Sequence, residues 1–227
     1  MRIPMRVTPV AVLLAAVVLA GWAVTPTAVA QLACADLGGT VNGDQVCQVH
    51  TANAAYTLDY TFPVGYPDQQ AVAGYLIQTR DGFVNVSGMP GAHDQPYVLD
   101  AKGTAYSSGL PARTQSLAFE VYQFVGGAHP QTWYKAFNYD LARRAPITFA
   151  TLFKPGSHPL DVIFPIVQGE LQKQSGVEQA IPPSVGLDPA NYQIFAITDD
   201  AVIFFFGQGE LMPEAAGASQ ASVPRAA

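Results

Sequence analysis

Apolar side chains recur along this chain with two different periods. Tyr56, Leu58, Tyr60 and Phe62 alternate with polar neighbours, the spacing of a half-buried strand, and Pro63 and Pro67 end it. The period then lengthens. Val72, Tyr75, Leu76, Thr79 and Phe83 fall at offsets 0, 3, 4, 7 and 11, one stripe of an amphipathic helix, with Asp68 suited to its first turn. Gly74 and Gly82 each weaken that helix by about 1 kcal/mol relative to Ala, so packing must hold it. Ser87-Gly88-Met89-Pro90-Gly91 reads as a loop.

Three strands are predicted next, over about 96–107, 115–125 and 131–140. On the third, Trp133, Lys135, Phe137 and Tyr139 share one face, and Tyr134, Ala136, Asn138 and Asp140 share the other. Gly126-Gly127-Ala128-His129-Pro130 before it is a tight connection. The helical stripe then returns at Leu160, Ile163, Phe164, Val167 and Leu171, which predicts a helix over about 159–175. Pro165 inside it demands a later start or a kink. Gln193–Thr198 and Ala201–Phe206 form a hairpin turned at Asp199-Asp200, and the second strand is apolar on both faces, hence central.

This order predicts an α+β fold: a mostly antiparallel sheet with two amphipathic helices packed on it. The repeated stripe suggests two halves, about 55–115 and 116–212, within a single domain over 31–212. Residues 213–227 supply a short edge strand closed by Val223 and a mobile tail.

The N-terminus adds an address. Arg2 and Arg6 precede an apolar run from Val7 to Val24, which ends in Ala28-Val29-Ala30. A basic start, a short apolar core and small residues before Gln31 read as a secretory signal peptide over 1–30, removed in the mature protein. The alternative, an uncleaved anchor, needs ~20 apolar residues to span, which this run barely supplies. Cleavage removes Arg2 and Arg6 and moves the formal net charge from -6 to -8. No run of Lys or Arg exists, so nucleic acid and anionic membrane surfaces are poor partners. No membrane span is expected after cleavage, and a monomer is expected. Cys34 and Cys47, the two cysteines of an exported chain, read as one disulfide.

Candidate chemistry is sparse. The chain has no G-x-S-x-G, H-E-x-x-H, P-loop or G-x-G-x-x-G motif. His50, His93, His129 and His158 lack metal-ligand spacing, so no metal and no cofactor is expected. His129, in the glycine-rich turn, is the candidate general base; the competing reading is a ring that only braces the turn. Asn138 and Asp140 could orient a ligand, and Asp140 equally suits a hairpin turn. Trp133 and its aromatic neighbours suit either a partner surface or core. Serines at 87, 107, 108, 116, 157, 175 and 184 are available, and no Ser–His–acid set can be picked from them.

The segments "YPDQQAVAGYLIQTRDGF" (66–83), "GGAHPQTWYKAFNYDLARRAPITFATLF" (126–153), "FPIVQGELQKQSG" (164–176), "GLDPANYQIFAITDDAVIFFFGQGELMPEAAG" (186–217) and "VPR" (223–225) resemble the mycobacterial secreted immunogenic-protein family of the MPT type. The stretch around Gly126–His129 is also similar to the extracellular domain of lysozyme-sensing anti-sigma factors. The resemblance implies a β-grasp-like half, secretion and a role as antigen or binding protein. It also implies an esterase option, since a relative is credited with cell-wall esterase activity. The expectation is therefore a secreted immunogenic or binding protein of the envelope or extracellular space, acting without catalysis on a protein or cell-envelope ligand. Its expected surface is His129, Trp133, Asn138 and Asp140. The alternative is a cell-wall-associated carboxylesterase using a serine with His129 as base.

Overall fold

The structure is a computed structural model that describes residues 33–89, 95–176 and 180–227. The signal peptide expected over 1–30 and His93 lie outside the described residues. The elements in chain order are β1 (Thr40–Val41), β2 (Val46–Ala52), β3 (Tyr56–Pro63), α1 (Gln69–Ser87), β4 (Tyr97–Ser108), β5 (Thr114–Phe124), β6 (Gln131–Asp140) and β7 (Ala145–Pro146). There follow α2 (Phe149–Leu152), α3 (Leu160–Ser175), α4 (Pro183–Gly186), β8 (Phe195–Ile197), β9 (Ala201–Phe206) and β10 (Ser219–Pro224).

The fold is α+β, as expected, and its strands divide between two sheets. Strands β1 to β7 form one sheet in sequential order, and β10-β9-β8 form a second. Every pairing is antiparallel except β3 with β4. That pair is parallel because α1 carries the chain back across the sheet between them, and a parallel pair needs such a crossover. The half expected to be β-grasp-like therefore consists of two hairpins, β2–β3 and β4–β5, joined through α1.

The two helical stripes serve different sheets. Val72, Leu76 and Phe83 of α1 are buried against Leu58, Tyr60, Leu99, Phe119 and Val121 of the large sheet. Asp68 caps α1, its side chain accepting from Ala71 N at 3.0 Å, and the Tyr60 hydroxyl donates to the Leu76 carbonyl at 3.2 Å. Leu160, Ile163, Val167 and Leu171 of α3 pack with Phe195, Phe204, Phe206, Ala221 and Val223 of the small sheet. Helix α3 runs through Pro165, whose side is exposed, and Pro159 stands at its N-cap. The molecule thus has four layers: α1, the large sheet, the small sheet, α3.

Strand β9 explains the stacking. Phe204 and Phe206 face α3, while Phe205 faces the large sheet beside Ala118, Tyr106 and Tyr134. A strand apolar on both faces is buried on both, as its composition required. In the segment expected to hold an edge strand and tail, Ser219–Pro224 pairs along all of β9 and buries Ala221 and Val223. Cys34 and Cys47 form a disulfide that ties the N-terminal turn to β2, both residues buried. Among the described residues no helix is long and apolar enough to cross a membrane.

Candidate functional site

Strand β6 carries three of the four residues expected to form a binding surface, with His129 in the turn before it, and it does not bring them together. Trp133 points toward α1, where its indole N–H donates to the Tyr75 hydroxyl at 3.0 Å. Asn138 points the opposite way into the seam between the sheets, is buried, and donates from Nδ2 to the Phe195 carbonyl at 2.8 Å. Asp140 accepts from the backbone N–H groups of Ala142 and Arg143, both at 2.9 Å, and so builds the hairpin turn into β7. His129 precedes the strand, with its Nε2 3.6 Å from Glu214 Oε2 and both side chains half-exposed. His129 stands two residues before β6 and Asp140 is the last of its ten residues, a separation on the order of 30 Å at the usual strand rise. Alternation along a strand, which groups residues by face, also sends Trp133 and Asn138 into opposite layers.

The serines are mostly engaged with backbone. Ser87, Ser157 and Ser175 donate to the carbonyls of Val84, Lys154 and Leu171. Ser116 accepts from the Ile197 N–H at 3.0 Å, and Ser108 accepts from Arg225 Nη1 at 2.8 Å. Ser116 and Asn138 stand opposite each other in the register of β5 and β6, so the large sheet grips β8 through two adjacent polar side chains.

The concave site lies elsewhere, at the start of α3. The loop from Phe153 to Pro159 follows α2, turns at Gly156 with φ +79°, and feeds α3 through Pro159. Ser157 closes that turn through its N–H and its hydroxyl, both donating to the Lys154 carbonyl. Beside this loop, α3 and the small sheet leave a cleft of about 410 Å³. Its walls are Leu152, Phe153, Val162, Ile163, Ile197, Val202, Phe204 and Val223, with Ser157, His158 and Arg225 among them. Arg225 is anchored: its Nη1 donates to Ser108 Oγ at 2.8 Å and to the Thr198 carbonyl at 3.2 Å. A cleft of this size and polarity is of the kind that takes small ligands. It draws on α2, α3, both hairpin strands and β10, which lie far apart in sequence. The only trace in the chain is the dipeptide Ser157-His158 ahead of an amphipathic helix.

Elsewhere, the large sheet leaves part of the face opposite α1 open. Asp59 and Asp100 stand side by side there on the parallel pair β3–β4, and His50 Nδ1 lies 2.6 Å from Asp59 Oδ1. Burial raises the Asp100 carboxyl above the usual carboxylate range, and the charges of Asp59 and Glu120 add to it against Lys102. Tyr134, beneath Phe205, has its hydroxyl pushed up to about 12, first by burial and then by Glu120. Among the described residues no group of three His, Cys, Asp or Glu is placed to hold a metal ion.

Two sheets of this topology, with one helix on each outer face, define the class. Residues 150–226 match the family profile described as a protein of unknown function, DUF3298. The fold is that of a solved DUF3298 family protein from Pseudomonas aeruginosa, with a TM-score of 0.52 at 11% identity over 81% of this chain and 92% of that one. Within that class the relationship is closer still. The chain is 57% identical to "Esterase Rv3036c" of Mycobacterium tuberculosis, over 98% of this chain and 97% of the relative. It is 47% identical to "Immunogenic protein MPT64" of the same organism, over 95% and 94% of the two chains. The chain belongs to the mycobacterial family that contains these two proteins.

Proposed function

We propose that this is a secreted binding protein of the bacterial envelope or extracellular space, which takes an apolar ligand in the cleft between α3 and the small sheet. The observation that carries the reading is the cleft itself: about 410 Å³ of open space walled by aliphatic and aromatic side chains. Apolar walls exposed to water are costly, at roughly 25 cal/mol per Å², and a hydrocarbon segment would cover them. Export is supported by the N-terminal pattern and by the buried disulfide, which suits an oxidising compartment. An exported antigen also fits the name of the 47% relative.

A second reading, ester hydrolysis, is favoured by the name of the 57% relative and by the position of Ser157 and His158 on the cleft wall. Away from the cleft, His129 beside Glu214 and His50 beside Asp59 are imidazoles paired with a carboxylate. The two readings separate in one preparation. Titration with cis-parinaric acid, which fluoresces in apolar surroundings, is expected to saturate, and Val162→Phe in the cleft to weaken it. A fluorophosphonate that labels one serine stoichiometrically in the folded protein would instead put ester hydrolysis first and name its nucleophile. No saturable binding of any apolar probe would remove the ligand-binding reading.

A further inference from the structure

The Phe153–Pro159 loop has a cleft on each side. The second is about 430 Å³ and lies between the loop, α2 and the segment that leads into Tyr192. Phe153, Ser157, His158 and Pro159 line both clefts, so the loop is a ridge between them. The two clefts differ in charge. The second carries Lys154 together with Asp161, one charge of each sign. The first carries Arg225, and no Asp or Glu side chain lines it. That is an unusual wall in a chain whose formal net charge is -6.

Arg225 reaches this place by continuing the small sheet. Val223 pairs with Val202 and Pro224 with Ala201, and the Arg225 N–H then donates to the Asp200 carbonyl at 2.9 Å. The two hydrogens of its Nη1 go to Ser108 Oγ and the Thr198 carbonyl. Both acceptors are neutral, so the guanidinium is held in place with its charge uncompensated. Asp199, in the same hairpin turn, accepts from the Gly109 N–H at 2.6 Å instead. The ion pairs among the described residues belong to His50, Arg80, His129 and Arg143. With Nη1 taken, the edge formed by Nε and Nη2 is left, and such an edge meets a carboxylate through two parallel hydrogen bonds. The Ser157 hydroxyl of the same cleft is already given to the Lys154 carbonyl.

We infer that the ligand of the first cleft is a single-chain amphiphile with a carboxylate head. Its hydrocarbon chain lies along Val162, Val202 and Val223, and its carboxylate sits on the Nε–Nη2 edge of Arg225. This deepens the ligand-binding reading and rests on it. One fixed cation facing no acid matches a head of one negative charge. An arginine already held by two hydrogen bonds also has less freedom to lose when the head binds.

The test compares two probes of the same chain on the purified protein: cis-parinaric acid, with an anionic head, and cis-parinaryl alcohol, with a neutral one. The acid is expected to bind at least ~10-fold more tightly, the usual size of a hydrogen-bonded charge pair. Arg225→Gln is expected to erase that preference by weakening the acid alone, and Arg225→Lys to restore part of it. Pro224→Glu keeps Arg225 and places a competing carboxylate beside it, at an exposed position on the cleft wall. It is expected to repeat the Arg225→Gln result should that variant fold poorly. Equal affinity for the two probes, or a preference for the acid that survives both Arg225→Gln and Pro224→Glu, overturns the carboxylate head and leaves the apolar cleft standing. Equal weakening of acid and alcohol by Arg225→Gln also overturns it, and makes Arg225 a strut between the sheets. Failure of both probes to saturate overturns the ligand-binding reading with it.

Discussion

Asn138 on β6 and Phe195 on β8 are joined by a side-chain hydrogen bond of 2.8 Å that crosses from the large sheet to the small one. The two residues are 57 positions apart in the chain, and both are buried. Phe195 opens β8, which meets the large sheet through its backbone polar groups: two residues on, the Ile197 N–H donates to Ser116 Oγ. The bond therefore holds two layers in register, and Asn138 is a structural side chain.

Replacing Asn138 by Ala leaves the Phe195 carbonyl buried without that donor. Such a group costs about 1–3 kcal/mol. Urea denaturation is expected to show a loss of about 2 kcal/mol with the slope unchanged. A variant as stable as the parent would mean that the inter-sheet bond contributes nothing.

The disulfide closes a loop with a sequence separation of 13. Replacing Cys34 and Cys47 together by Ala is expected to lower stability by about 3 kcal/mol in the chain-entropy model. The loss should be reproduced by reduction of the parent protein under the same conditions. Fraying of β1 and β2, read by hydrogen exchange, should accompany it, because the bond ties the N-terminal turn to that edge.

Asp100 carries a pH dependence of definite sign. Burial raises its folded-state carboxyl above the ordinary value, and Asp59 and Glu120 raise it further. The folded chain therefore holds this proton more tightly than the unfolded chain. Its contribution to stability is full below the ordinary carboxylate range and is lost as pH rises through the folded-state value. Asp100→Asn removes the repulsion with Asp59 across the strand pair. It is expected to stabilise the protein by about 0.5 kcal/mol near pH 7, in line with like charges paired across strands. The gain should vanish near pH 3; destabilisation near pH 7 would contradict the assignment.

His129 and Glu214 form a half-exposed pair. His129→Ala is expected to change stability by less than about 0.5 kcal/mol. It is also expected to leave binding of parinaric acid unaltered, because the histidine lines neither of the two clefts. A fall of at least ~100-fold in ester turnover, in a variant that is still folded, would instead make His129 a general base.

Much of the fold was legible in the chain because it rests on local periodicity. The two stripes gave α1 and α3 to within a few residues, and Asp68, expected in the first turn of α1, stands one residue before it as the N-cap. The double-sided apolarity of β9 marked it as central, and it pairs on both edges. The division into two sheets was not legible, because period-two patterns state which face is buried and not which partner buries it. Asp199 shows the same limit: its sequence suits a turn, and its carboxylate also accepts from the Gly109 N–H, 90 positions away, at 2.6 Å.

The sequence by itself determined α1 and α3, strands β3 to β6, β8 and β9, the cysteine pair and the family, since each is written in neighbouring residues or in the order of matching segments. Only the tertiary structure decided what those elements enclose. Trp133 and Asn138 could be grouped with His129 and Asp140 along one strand, and packing sent them into separate layers. Ser157 and His158 carried no distinguishing spacing, and packing placed them on a ridge between two apolar clefts. A cleft is the space left where distant elements fail to meet, and no local pattern encodes a space.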